Sequence, residues 1–260
     1  MRKYARIAVF AARDALAYLP AFLARNVFFV VILFVFWSLW RVVFASRPAV
    51  AGLTLVQTLW YLTFTEAMEL SRPRVAGMVQ EEVRDGTLAV TLTRPWSYPA
   101  FHFWRSFGEG AVRALPVLAV GFCLATVFVG PLPGYLRALP FGLLLILLGL
   151  AVGILWTLAI GLLAFWLEEV SPVFWIVQKA IFILGGLFLP IDFFPPGLAA
   201  VARWLPFAFS AYWPAITMVN FGWRTFFTGL AGAVVWLAVL ACIVALLFTA
   251  GRRRVHAQGG

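Results

Sequence analysis

Long uncharged runs decide what this chain can become. After Arg137 no charged residue appears until Glu168, and after Arg224 none until Arg252. About 20 apolar residues, rising 1.5 Å each, cross a hydrocarbon layer of about 30 Å. Runs of this kind, roughly 17 to 30 residues long, recur along the whole sequence. The expected fold class is an all-α membrane protein with six transmembrane helices. The spans are expected at 22–45, 49–70, 99–130, 136–167, 173–189 and 223–250, in a single transmembrane domain covering 1–260.

Charge and composition narrow the function classes. The formal net charge of +10 is scattered over the ends of apolar runs rather than gathered on a face, so it reads as a topology signal and not as a nucleic-acid surface. Neither lysine, Lys3 or Lys179, follows a glycine, so the phosphate-cradling G-x-x-x-x-G-K-[ST] loop is absent from the sequence and the chain is not expected to hydrolyse ATP by that route. Cys123 and Cys242 fall inside apolar runs, and His102 and His256 have no partners at metal-ligand spacing. No disulfide framework or metal site is expected. Eighteen arginines against two lysines fit a bacterial source.

Three segments depart from simple spans. In residues 1–20, Arg2, Lys3, Arg6, Arg13 and Asp14 share an arc of about 120° when wound as a helix, opposite Tyr4, Ile7, Ala8, Ala11, Ala15 and Tyr18. That pattern predicts an interfacial helix with its basic side on the headgroups, and Arg13 and Asp14 break any secretory signal. Residues 78–95 form a cytoplasmic segment, and within it Glu81 to Pro95 is the longest part of the chain that cannot sit in lipid. Glu81 and Glu82 suit the start of a short helix and Gly86 its end, with a second short segment following to Arg94-Pro95. Residues 190–220, rich in proline and aromatics, are too apolar for a free loop. Two short re-entrant helices before the last span are expected there.

Basic residues orient the chain. With the N-terminus inside, Arg2, Lys3, Arg6, Arg13, Arg72, Arg74, Arg84, Arg94, Arg105 and Arg252 to Arg254 lie in the cytoplasm, against Arg41, Arg47, Arg137, Arg203 and Arg224 outside. Both termini are expected in the cytoplasm.

Two motifs resemble a known family, the permease subunits of type-2 ABC transporters. V-R-D-G-T-L-A-V-T-L-T-R-P at 83–95 is similar to that family's cytoplasmic coupling segment between its second and third spans. G-G-L-F-L-P-I-D-F-F-P-P at 185–196, with Leu205-Pro206, is similar to its signature before the last span. The resemblance implies a permease subunit forming half of a translocation path in the bacterial plasma membrane. It implies two ABC ATPase subunits and a second permease, identical or homologous, as partners. It also implies ATP and Mg on the partner ATPase rather than in this chain, and export of a hydrophobic or amphipathic compound. Glu81, Glu82, Arg84, Asp85, Gly86, Thr87, Leu88 and Leu92 are then the ATPase-coupling residues. Gly185, Gly186, Pro190, Pro195, Pro196 and Pro206 form the extracellular gate.

Single charges leave alternatives open. Lys179, some way into the fifth span, either snorkels to the surface, pairs with Glu168, Glu169 or a partner chain, or lies on the substrate path. Glu66 and Glu69 read as helix-end charges paired with Arg72 or Arg105. The rival functions are a secondary transporter, which would need paired repeats and several midplane charges, an intramembrane protease, and a structural membrane subunit without an ATPase partner.

Overall fold

A computed structural model describes residues 2–18, 20 and 27–258, of which 254–258 by their backbone only. The expected start of the first span at Phe22 and Arg25 lies outside the described residues. Twelve helices are described: α1 (Arg2–Ala17), α2 (Val27–Phe44), α3 (Leu55–Ser71), α4 (Val75–Arg84), α5 (Thr87–Leu92), α6 (Tyr98–Val129), α7 (Tyr135–Leu162), α8 (Ser171–Leu184), α9 (Pro196–Trp204), α10 (Pro206–Ser210), α11 (Tyr212–Val219) and α12 (Trp223–Gln258). Two 3₁₀ turns, Leu163–Phe165 and Ile191–Phe193, join them. No β-strand occurs among the described residues.

Four helices are long and apolar enough to cross a membrane: α2, α6, α7 with its 3₁₀ extension, and α12. The chain is therefore an integral membrane protein by composition and length. α3, at 17 residues, and α8, at 14, are shorter. α7 is the hub. Most of its apolar stretch is buried, while the other three long helices bury less than a third of theirs. It packs against α12, α11, α4, α6 and α10. Small residues on α7 allow this close approach: Gly153 lies under the Arg72 guanidinium and Gly161 against the Ala76 backbone.

The chain turns where local chemistry directs it. Thr54 caps α3 through a reciprocal box with Gln57. Pro73 ends α3, and Gly134 in a left-handed conformation precedes α7. The apolar interior divides into two clusters. One surrounds Trp60, Tyr61, Phe64 and Ile216; the other surrounds Val75, Val79, Leu158 and Phe165. They lie toward opposite ends of the bundle, named below for Asp192 and Glu82.

Several boundaries differ from those expected. The second long segment begins at Leu55 rather than near 49, because residues 45–54 fold into a tight loop closed by paired backbone hydrogen bonds between Val50 and Leu53. α8 stops at Leu184, five residues early, where Gly185 and Gly186 turn the chain. The last helix runs on past Gly251 to Gln258. Between α8 and α12 lie three short helices and a 3₁₀ turn rather than two helices.

Candidate functional site

Residues 78–95 fold as two helices joined at Asp85-Gly86. Glu81 and Glu82 do not start a helix; they sit in the last turns of α4, which begins at Val75. Burial overrides the macrodipole there: Val75, Ala76 and Val79 pack into the core beside α7, so the helix starts as soon as Pro73 permits. Gly86 ends α4 at φ +78°, a conformation that suits glycine. The Asp85 carboxylate accepts from the Thr87 amide at 3.0 Å and its hydroxyl at 2.7 Å, which starts α5. Those two bonds hold the Asp85 carboxyl below its ordinary pKa.

Three contacts fix this unit to the bundle. Tyr98 Oη donates to Glu82 Oε2 at 2.8 Å, and His102 Nε2 lies 3.2 Å from the same oxygen. Burial pushes the Glu82 carboxyl up, but the hydrogen bond and charge of His102, with Tyr98 and Arg105, outweigh it and lower its pKa. Gln80 Oε1 accepts from the Val170 amide at 2.8 Å, joining α4 to the turn between α7 and α8. Leu88 is buried in the same cluster as Val75 and anchors α5 from below. Glu81, Arg84, Asp85, Gly86 and Thr87 are exposed, Leu92 is half-buried, and Leu88 faces inward.

His102 is thus not isolated: its position one helical turn after Tyr98 puts both side chains on one face of α6. That spacing was the signal in the sequence. Gln80 gave none. Nearby, Glu69 pairs with Arg72 at 2.5 Å, Arg72 lies over the Trp156 ring at 5.2 Å, and Glu109 pairs with Arg113 at 2.6 Å.

The opposite end is organised by Asp192. Its carboxylate accepts from Arg203 Nη2 at 2.8 Å and from Tyr212 Oη at 3.0 Å. One side chain therefore holds the 3₁₀ turn to α9 and α11. The buried Tyr61 hydroxyl, on α3, donates to the Gly186 carbonyl at 2.6 Å, and Gly186 takes φ +75°. Trp213 Nε1 donates to the Arg203 carbonyl at 3.0 Å. Gly185, Gly186 and Pro190 are buried within this assembly, Pro206 is half-buried, and Pro195 and Pro196 are exposed at the start of α9. Sequence reading found the prolines and glycines but not Tyr61, Asp192, Arg203 and Tyr212, which do the binding. P-I-D was the one visible hint of Asp192.

Lys179 is exposed on α8, its ammonium 5.9 Å from the Trp175 ring centre and 5.6 Å from that of Phe182. Trp175, Ile176 and Ile183 share the exposure. Neither Glu168 nor Glu169 pairs with it.

The described residues make an all-helical membrane subunit with a polar two-helix unit and a proline-rich helical cluster. The sequence model of the ABC-2 family transporter protein matches residues 28–259, and the chain belongs to that family. It is a permease component of an ABC transporter, and membership implies association with ABC ATPase partners. No match was found among curated proteins.

Proposed function

We propose that this chain is half of the translocation path of an ABC exporter in the bacterial plasma membrane, with six spans and both termini in the cytoplasm. α3 and α8 complete the six with the four long helices. Two ATPase subunits bind below, and a second permease, identical or homologous, pairs alongside. ATP and Mg stay on the ATPases. The observation that carries the reading is the exposed Arg84-Asp85-Gly86-Thr87 turn, tied by Glu82 to α6 and by Gln80 to the α7–α8 turn. A push on that turn reaches α6 through Glu82 and α7 through the packing of α4 along it. The differential contact of ATP-bound and ATP-free partners supplies the energy link.

The Asp192 cluster forms the outer gate, and the α8 face with Lys179 lines the path of a hydrophobic or amphipathic cargo. An intramembrane cation without an acid partner is costly against lipid alone.

The test is charge reversal at the turn. Asp85→Lys and Arg84→Glu subunits, both changed on the exposed turn, should insert at wild-type levels yet lose export with the cognate ATPase by about tenfold or more, the scale of one lost charge-assisted contact. Normal export by both variants would overturn the reading. Transport by the isolated chain, without an ATPase, would favour a secondary transporter instead.

A further inference from the structure

We infer that α1 is a binding site for the headgroup of an anionic phospholipid. Wound at 100° per residue, Arg2, Arg6 and Arg13 fall within about 40° of each other. All three are exposed, and none has a carboxylate partner among the described residues. Val9 and Leu16 flank the stripe on one side and Phe10 on the other, at 52%, 53% and 75% exposure. Ala5, Arg6, Val9, Phe10 and Arg13 together form one open, shallow outer face of α1. Guanidinium groups beside exposed apolar side chains match a phosphodiester that carries acyl chains: the fork geometry suits phosphate oxygens, and the apolar flank suits the first methylenes.

The stripe is held rigidly. The other side of α1, with Ala8, Ala11 and Ala15, packs along α6, and any Cβ at Gly108 would run into the Ala8 carbonyl. At its first turn, Lys3 Nζ donates to the Pro95 carbonyl at 2.9 Å and Tyr4 Oη accepts from the Ser97 amide at 3.1 Å. The helix that meets the lipid therefore also grips the link between α5 and α6. The site needs no ATPase and stands or falls apart from the exporter reading.

The full chain, reconstituted in phosphatidylcholine vesicles with a minor fraction of phosphatidylglycerol, is probed with spin-labelled phosphatidylglycerol and spin-labelled phosphatidylcholine. The wild type should immobilise the anionic label in preference to the neutral one by about fivefold, as clustered surface charges near anionic lipid do. The triple variant Arg2→Gln, Arg6→Gln, Arg13→Gln should lose most of that preference, while the matching triple lysine variant, which keeps the charge but not the fork, falls between it and the wild type. These positions are exposed, so the buried α1–α6 seam stays intact in both. Equal preference in the wild type and the glutamine variant would overturn the site. Displacement of the label by inorganic phosphate would assign the stripe to a free anion and overturn it as well.

Discussion

Glu82 keeps a carboxylate half-buried because Tyr98 and His102 converge on one of its oxygens. Its folded pKa lies below the ordinary value of 4.5. The contact therefore stabilises fully above that ordinary value and is lost as pH falls through the lower folded one. Glu82→Gln should unfold at lower temperature than the wild type at neutral pH, and the gap should narrow and close in acid as pH falls below that ordinary value and through the lowered one. Thermal unfolding of the detergent-solubilised chain across pH checks this; a gap constant with pH would show that the carboxylate charge contributes nothing. At this scale the sequence was half legible. It displayed Glu81, Glu82 and Asp85 as a polar island in an apolar chain, because charges in lipid are costly. It did not show that Glu82 faces inward and Glu81 outward, since that depends on where α6 begins relative to α4. Asp192 was harder to read still, because its partners Arg203 and Tyr212 stand 11 and 20 residues away.

Among the elements, α1 shows how an amphipathic pattern can be right in kind and incomplete in detail. The arc of Arg2, Lys3, Arg6, Arg13 and Asp14 is exposed as expected, but the opposite face lies on α6 rather than in lipid. Small side chains, Ala8, Ala11 and Ala15, were the clue to helix–helix packing. Gly108→Leu should force α1 from its seat while leaving the long helices intact. Limited trypsin digestion should then cleave at Arg13 at least about tenfold faster than in the wild type, since cleavage follows the population of the open form. Unchanged cleavage would mean that the seam is not needed to hold α1. Helix starts were misread wherever burial and not capping set them, as at Val75. Helix ends were legible where chemistry is local, as with Gly86, whose left-handed turn ends α4.

For the whole molecule, periodicity and length made the all-helical class plain, and the polar unit and the proline-rich unit do lie at opposite ends of the bundle. Asp192 and Glu82 belong to different ends because α3, α6 and α7 run between them. Topology mapping tests the proposed six spans. In a background with Cys123 and Cys242 replaced by serine, a cysteine at Arg84 should react with membrane-impermeant maleimide only after the cells are opened, and one at Gly197 should react in intact cells. Labelling of both positions from the same side would exclude the six-span arrangement. The structure leaves Lys179 on a face with Trp175 and Ile176, a position no pattern in the sequence could orient, since past its first residue α8 is apolar except for the adjacent Gln178 and Lys179.

α8 ends at Leu184, and its 14 residues rise only about 21 Å, some 9 Å less than the hydrocarbon slab. On the proposed topology the shortfall falls on the Asp192 side and is filled by folded protein instead of acyl chains. A solute climbing this helix would leave the oily layer after about two-thirds of its depth, and the remaining distance would be crossed among side chains that can rearrange.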